Sequence, residues 1–373
     1  MAGNDDKSGP GFDAEPIGPA VEQAKSDVLK DVWRPLGTWP AERPTPRQWL
    51  VTLTESGETK PKGVLPLGKV GLLAGAGGSG KSWATTQLAV AVAAGVQWLG
   101  FDVATPGRVL LVLGEEEQEE VTRRLHNIGE VMCLTPEQQR RAADRLVVLP
   151  MAGRDVALTK ALDEVNEGEL PETALAREIE RRLKEGGEWR LVVLDPLSRF
   201  AGADVEVDNA AATRFVQVLE RLVSVPGTPT ILVTHHTNKT SRTGQAQHST
   251  DAGAATALRG SSALTDGVRW QANLTGRPRY PGAPRLIDMA VVKTNYGPPL
   301  EPILLTAPNE GHGSLRGATG EELAEWKTAD ERAKVAAKRE KKRTDALARD
   351  RDDDGKFAPD EDADDAFPGE QLL

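Results

Sequence analysis

A glycine-rich run, Gly75-Ala76-Gly77-Gly78-Ser79-Gly80-Lys81-Ser82, is the part of this sequence best suited to chemistry. It follows a short apolar run and precedes a segment with helical spacing, which is the context that a phosphate-binding P-loop requires. Glycines let backbone N–H groups converge on phosphate oxygens without clashes from Cβ atoms. We expect Lys81 to reach the β- and γ-phosphates of ATP, and the hydroxyl of Ser82 to hold Mg²⁺. Nucleotide contacts are therefore predicted for Gly75 to Ser82 and for the next residue, Trp83.

Acidic side chains follow two other apolar runs. Asp195 ends the run Leu191–Leu194, and Glu115 and Glu116 follow Leu110–Leu113 after a glycine. Ligands bind at the carboxyl ends of strands in an open parallel sheet. We therefore expect Asp195 to be the Walker B carboxylate that orders the Mg²⁺ shell, and Glu115, or else Glu116, to activate the attacking water. The alternatives are a turn or helix-capping aspartate and a solvated acidic helix start.

Two histidines, His235 and His236, follow a third apolar run, Thr230–Thr234. Their position predicts that they point at the same crevice as the carboxylates. One of them is expected to sense whether a γ-phosphate is bound and to transmit that difference to the next loop. The alternative is a purely structural role.

The surrounding elements alternate between strands and helices. Apolar runs predict buried strands at Val70–Ala74, Arg108–Leu113, Leu146–Pro150, Leu191–Leu194 and Thr230–Thr234. Helical spacing marks Ser82–Ala94, Val121–Val131, a segment from Pro136, Ala174–Gly186 and Ala210–Val223. Further on, we expect a strand-and-turn element at Ser262–Ala272 and a late strand at Arg285–Lys293. This alternation predicts an α/β fold with a mostly parallel, twisted sheet and helices on both faces.

Composition divides the chain into five parts. Residues 1–32 are expected to be a disordered tail, and residues 33–65, which hold three tryptophans, an extended arm that packs on its own chain or links subunits. Residues 66–310 are expected to form the catalytic domain, and 311–349 a charged helical extension with the basic run Lys338–Arg343. Residues 350–373 have ten acidic residues against two basic ones, which predicts a disordered acidic tail.

Charge and apolar content exclude several classes of protein. The net charge of −10 argues against a protein that coats nucleic acid through bulk positive charge. Residues 1–15 are polar and lack an apolar core, so we expect no signal peptide, and the longest apolar stretch, Leu88–Val96, is too short to span a bilayer. The lone Cys133 gives neither a disulfide framework nor a zinc cluster. We expect a soluble cytoplasmic protein without a membrane partner.

Four segments together resemble the plasmid RepA-type hexameric replicative helicases, which belong to the RecA/DnaB branch of P-loop ATPases. They are Thr230–Lys239 (TILVTHHTNK), Leu258–Gln271 (LRGSSALTDGVRWQ), Val292–Pro298 (VKTNYGP) and Arg124-Leu125-His126. The resemblance covers roughly residues 67–298. It implies a RecA-like P-loop ATPase core, ATP and Mg²⁺ as cofactors, single-stranded DNA as partner, and a ring of identical subunits, namely a hexamer.

The same resemblance implies roles for individual residues. Glu115 would be the catalytic base, Asp195 the Walker B acid and His235 or His236 the sensor. Arg269 matches the arginine that the family inserts into the neighbouring subunit's site, with Arg259 as second choice; a surface salt bridge is the alternative for Arg269. Lys293 and Asn295 fall where related helicases place residues near the partner's nucleotide, although Asn295 stands in place of a second arginine.

A loop from Thr237 to Arg259 would face the channel of such a ring. Lys239 and Arg242 lie in it among small polar residues, a composition that suits a mobile loop gripping a phosphate backbone. Plain surface flexibility is the alternative. The loop Arg199–Asn209 is acidic and is a poor DNA contact by itself.

Three functions are compatible with these features. The leading one is an ATP-driven, ring-forming helicase or translocase on single-stranded DNA in replication. The second is a RecA-like recombination or helicase-loading ATPase without unwinding activity. The third is a nucleotide-gated adaptor with slow hydrolysis, whose tails, including the acidic C-terminal one, bind other replication proteins.

Overall fold

A computed structural model describes residues 35, 37, 41–161, 172–202, 205, 207–237, 262–308 and 313–349. The strands are β1 (Trp49–Leu53), β2 (Lys62–Pro66), β3 (Val70–Gly75), β4 (Asp102–Val103), β5 (Arg108–Leu113), β6 (Leu146–Pro150), β7 (Trp189–Asp195), β8 (Thr230–His236), β9 (Trp270–Gly276), β10 (Leu286–Thr294), β11 (Ile303–Thr306) and β12 (Arg316–Gly317). The helices are α1 (Lys81–Ala94), α2 (Gln118–Val131), α3 (Pro136–Arg145), α4 (Ala174–Glu185), α5 (Leu197–Phe200), α6 (Asn209–Val223), α7 (Ser262–Gly267) and α8 (Gly320–Arg349).

The main sheet has nine strands in the order β12-β11-β10-β9-β3-β8-β7-β5-β6. The six strands from β9 to β6 run parallel, and β10, β11 and β12 add antiparallel strands beyond β9. Strand β3 lies between β8 and β9, and β7 lies one strand further along. The strands β3, β5, β7 and β8 therefore all end at the same edge of the sheet.

Both faces of the sheet are buried. Alternate side chains of one strand enter different cores: Leu73 packs with α1 and the β1–β2 hairpin, while Leu72 and Ala74 pack with α4 and α6. Strands buried on both sides must be apolar at successive positions, which explains the continuous apolar runs. The predicted α/β class, with a mostly parallel sheet and helices on both faces, is confirmed.

The described part of the predicted arm packs on its own chain, one of the two alternatives for residues 33–65, but from Trp49 onward it does so as paired strands rather than as an extended segment. Strands β1 and β2 pair antiparallel, and β4 joins β1 to make a second sheet of three strands. Their inward side chains, including Leu50 and Val64, are fully buried. Gly63 permits this packing, since a Cβ there would lie 2.0 Å from the ring of Trp49. Residues 49–66 are thus a part of the globular core; Trp33 and Trp39 lie outside the described residues.

The C-terminal limit also differs from the predicted boundary at residue 310. Strand β12 pairs with β11 in the main sheet. The amide of Gln87, on α1, donates to the carbonyl of Leu315 at 2.7 Å and accepts from its N–H at 2.8 Å. The chain therefore returns to the P-loop helix before α8 begins. The tails predicted at 1–32 and 350–373 lie outside the described residues.

The segment Ser262–Ala272, expected as strand and turn, begins with the short helix α7. The ammonium of Lys293 donates to the carbonyls of Thr265 at 2.7 Å and Asp266 at 3.1 Å. A lysine from a strand thus satisfies carbonyl groups near the end of this helix, which no local pattern reveals. Over the described part of the chain, no helix combines the length and apolarity needed to cross a bilayer.

Candidate nucleotide-binding site

The glycine-rich run connects the end of β3 to the start of α1. Gly78 and Gly80 have φ of 72° and 96°, a left-handed backbone that favours glycine. A Cβ on Gly77 or Gly78 would meet nothing within 4 Å, so this side of the loop is open. The N-terminus of α1 faces the opening and adds its positive dipole end, which favours an anion. The open loop at the helix N-terminus therefore has a shape that suits an anion.

Lys81 lies at the centre of the site and is 5% exposed. Its Nζ donates to the carbonyls of Gly75 at 2.8 Å and Ala76 at 3.1 Å, and lies 3.3 Å from Nδ1 of His236. Burial lowers the pKa of the Lys81 ammonium, and the carboxylates of Asp195 and Glu115 partly oppose that shift. An anion bound in the loop would further stabilise the charged form.

Asp195 sits at the end of β7 and is 5% exposed. Its Oδ1 accepts a hydrogen bond from the hydroxyl of Thr234 on β8, and its backbone carbonyl accepts from the N–H of Gly114 at 2.8 Å. The other oxygen, Oδ2, is buried and accepts no hydrogen bond from any residue that the structure describes. A buried carboxylate oxygen without a partner is costly, and a metal-bound water would satisfy it.

These residues fit a magnesium-bound nucleotide. Within the described chain, no group of three or more acidic, histidine or cysteine side chains is arranged to hold a metal ion. Mg²⁺ commonly takes only one or two protein ligands and completes its shell with phosphate oxygens and water. The hydroxyl of Ser82 and the carboxylate of Asp195 would supply the protein side of that shell.

The two glutamates at the tip of β5 differ in environment. The Glu115 side chain is 50% exposed, and its Oε1 accepts from Nε of Arg199 at 3.2 Å. The Glu116 side chain is 20% exposed and pairs with Arg124 at 2.6 Å. Burial raises the pKa of the Glu116 carboxyl, while Arg124 opposes that shift. Glu115 is thus the more accessible carboxylate, and Glu116 is held in an ion pair.

The two histidines are the last residues of β8 rather than the start of a loop. His235 is 1% exposed, within the sheet. His236 reaches the ammonium of Lys81. Side chains that are neighbours along a strand point to opposite faces, so only one of the two can face Lys81. The geometry favours His236 over His235 as the residue that would sense a phosphate.

Arg269 lies far from the P-loop of its own chain. Its N–H donates to the carbonyl of Val70 at 3.0 Å, at the start of β3, whereas the loop follows the end of that strand. The offset of five residues corresponds to roughly 16 Å at about 3.3 Å per residue. Arg269 is exposed, and Lys293 and Asn295 lie beside it. These three residues therefore occupy the sheet edge opposite the nucleotide site.

Trp83 flanks the site from the first turn of α1. Its ring lies below the guanidinium of Arg124, 5.4 Å from the ring centroid, and against Gly313, where a Cβ would be 2.3 Å from Nε1. Trp83 thus forms part of the wall between α1, α2 and the chain after β11. Lys239, Arg242 and Arg259, predicted for DNA contact and as second-choice finger, lie outside the described residues.

Two residues of the site, Thr234 and Arg124, have no role assigned from the sequence, although Arg124 lies in one of the segments that carry the family resemblance. Thr234, whose hydroxyl donates to Asp195, lies within a predicted strand. The signal for its role is that a threonine directly before two histidines interrupts the apolar run. Arg124, which pairs with Glu116, lies one helical turn after Glu120 and also binds it at 3.2 Å. An arginine spaced by four from a glutamate is a common surface pattern, so its role in the site is visible only in three dimensions.

Two comparisons with known proteins bear on this site. A family model described as an AAA domain matches residues 36–242, which include the P-loop, both glutamates, Asp195 and both histidines. The chain is also similar to the crystal structure of the RadB recombinase. That likeness has 18% sequence identity and a TM-score of 0.41, and covers 68% of this chain and 92% of the other.

Proposed function

The chain belongs to the AAA domain family, a P-loop ATPase type, and on that premise we propose that it hydrolyses ATP with Mg²⁺ and uses the energy to move along single-stranded DNA as a ring of identical subunits. The observation that carries the proposal is the meeting of Lys81, Asp195 and His236 at one sheet edge. Lys81 Nζ lies 3.3 Å from His236 Nδ1, and Asp195 Oδ2 is a buried acceptor without a partner among the described residues.

Each side chain of this group has a task in the proposed reaction. Lys81 binds the terminal phosphates, and Asp195 with Ser82 holds Mg²⁺. Glu115 accepts the proton of the attacking water, and His236 responds to whether a γ-phosphate is present. Because His236 is the last residue of β8, we propose that a shift of its side chain acts on the segment after Thr237. That segment lies outside the described residues and contains Lys239 and Arg242, the proposed DNA contacts.

The placement of Arg269 supports the ring. An exposed arginine at the edge opposite the P-loop cannot reach the phosphates of its own chain, but a head-to-tail arrangement brings that edge onto the P-loop edge of the next copy. A guanidinium is suited to neutralise charge on a transferred phosphoryl group. We therefore propose a catalytic site shared by two subunits, with a hexamer as the closed assembly.

The proposal is tested by ATP hydrolysis with and without single-stranded DNA, followed by strand displacement on a forked duplex. We expect DNA to stimulate hydrolysis, and the protein to separate the duplex only with ATP and Mg²⁺. A rate of ATP hydrolysis that single-stranded DNA does not change would support the adaptor role instead. DNA-stimulated hydrolysis with strand exchange but no unwinding, in either polarity, would support the recombination or loading role.

The choice between the two glutamates gives a separate prediction. Glu115→Gln should lower kcat about 100-fold, the usual scale for a lost general base, and leave ATP affinity nearly unchanged. Glu116→Gln is the matched control, one residue away; it should weaken the pair with Arg124 and lower thermal stability more than kcat. Single-turnover hydrolysis and thermal unfolding measure the two effects, and the reverse pattern would assign the base to Glu116.

A further inference from the structure

The connection between β9 and β10, residues 277–285, leaves the sheet at the same edge as the P-loop. Strand β9 runs parallel to β3, with Leu274 opposite Gly75. The chain therefore passes the P-loop level, turns, and re-enters the sheet as β10 beginning at Leu286. This connection forms one side of the phosphate site, although none of the motifs in the sequence includes it.

The connection is held firmly at its base. Arg277 forms two hydrogen bonds with Asp288, at 2.8 and 2.7 Å, and its N–H donates to the carbonyl of Leu286 at 2.9 Å. The carbonyl of Arg285 accepts from the hydroxyl of Thr306 at 3.2 Å and the N–H of Ala307 at 3.3 Å. The backbone that carries the Arg285 side chain is thus fixed by its two neighbouring strands.

Helix α8 braces the tip of the same connection. Nε1 of Trp326 donates to the carbonyl of Pro278 at 3.0 Å, and the hydroxyl of Tyr280 donates to Asp330. The rings of Tyr280 and Trp326 are 5.8 Å apart. Three elements therefore fix residues 277–285 against the core, so a side chain that extends from them toward the P-loop is preorganised.

Arg285 is that side chain. Its Nη2 donates to the backbone carbonyl of Gly78, in the open part of the P-loop. The side chain is half-buried, and burial together with the positive charge of Arg279 lowers the pKa of its guanidinium. Arg277 and Arg316 each pair with a carboxylate, whereas neither Arg279 nor Arg285 has an ion-pair partner among the residues that the structure describes.

We propose that Arg285 is a second phosphate-binding cation of the site, acting together with Lys81 on the nucleotide held by its own subunit. The positive charge of Arg279 acts unfavourably on the guanidinium of Arg285, and an anion bound between Arg285 and the P-loop would offset that repulsion. A guanidinium binds phosphate through two parallel N–H···O bonds. The inference rests on the proposed ATP site and adds a cis-acting contact to it, distinct from the role of Arg269 in the next subunit.

Affinity for magnesium-bound ATP, ADP and AMP, measured by calorimetry on the full chain, tests this role. Arg285→Ala should weaken ATP binding about 10-fold or more, since a hydrogen bond to a charged group is worth about 1.5–3 kcal/mol. AMP binding should change less than about 3-fold, because fewer phosphate oxygens reach the site. Arg285→Lys should lie between wild type and Arg285→Ala. Arg140→Ala is the matched control. Arg140 is exposed on α3, and its neighbour Arg141 donates to the carbonyl of Ala94 at the C-terminal end of α1, the end away from the P-loop.

Unchanged ATP affinity in Arg285→Ala would overturn the proposal. An equal loss of affinity for ATP and AMP would also overturn it, because a purely structural effect does not depend on the number of phosphates in the ligand. If Arg285→Ala does not fold, Arg285→Lys decides: ATP affinity equal to wild type would overturn it. If the wild-type protein does not bind ATP, the proposed function itself is refuted. If the wild-type protein binds ATP and the Arg285 variants bind it with the same affinity, only the inference about Arg285 is refuted.

Discussion

Arg269→Ala is expected to lower the rate of ATP hydrolysis by about 10³–10⁵, the scale for loss of an arginine that neutralises charge on the transferred phosphoryl group. ATP affinity should be nearly unchanged, because Arg269 lies at the start of β9 and the P-loop of the same chain follows the end of β3. This separation of rate from binding would distinguish a residue that acts on the neighbouring subunit's site from Lys81 and Arg285, which are proposed to act on the nucleotide of their own subunit.

Mixing variants tests that separation. Neither Arg269→Ala nor Lys81→Ala should hydrolyse ATP well alone, but a mixed assembly contains interfaces with an intact Lys81 on one side and an intact Arg269 on the other. We expect the mixture to recover measurable hydrolysis, and a mixture of Lys81→Ala with the double variant to recover none. Recovery no greater than the sum of the separate proteins would contradict a shared site. The mass of the wild-type assembly in Mg·ATP gives its subunit number.

Lys81→Ala should lower kcat/KM for ATP by about 10³–10⁵. The lost ground-state contact with phosphate accounts for about 10–100-fold, and the lost stabilisation of developing charge for about 10²–10³-fold. The ammonium is buried and is already positioned by the carbonyls of Gly75 and Ala76, so no other described side chain can replace it without moving the loop. Arg285 reaches the loop from the other side, at Gly78.

The measurement is steady-state hydrolysis together with calorimetric ATP binding. Lys327→Ala is the matched control, because Lys327 is exposed on α8 and its removal changes the net charge equally. Thermal unfolding without nucleotide should show Lys81→Ala to be as stable as wild type or more so, since burying an ammonium is costly. Retention of wild-type kcat/KM in Lys81→Ala would exclude the P-loop as the catalytic site.

Much of the core was predictable because its signals are local. Strands β3, β5, β7 and β8 are buried on both faces and must be apolar at successive positions, so each is visible as a run. The P-loop is a contiguous motif, and its glycines are required because Cβ atoms would prevent the backbone N–H groups from converging on phosphate. Asp195 and the glutamates follow strands directly, so the rule that parallel strands end at one edge places them together.

Other features depended on contacts between distant parts of the chain. The tryptophan- and proline-rich sequence around the β1–β2 hairpin favours an extended arm, whereas the burial of the hairpin depends on packing with α1 and pairing with β4. The segment after β11 lies beyond the predicted domain boundary at residue 310, because no local pattern shows that Leu315 binds Gln87. Two carbonyl groups near the end of helix α7 accept hydrogen bonds from a lysine on β10.

The sequence by itself determined that this chain has a P-loop at Gly75–Ser82, a parallel sheet around it, and the acidic and histidine residues that follow its strands, because each of these is encoded within a few consecutive residues. The tertiary structure alone decided that His236 rather than His235 meets Lys81, that Arg269 lies at the opposite edge, and that Arg285 reaches the loop. Those outcomes depend on which face a strand residue takes and on how strands far apart in the chain pair, and neither is a local property.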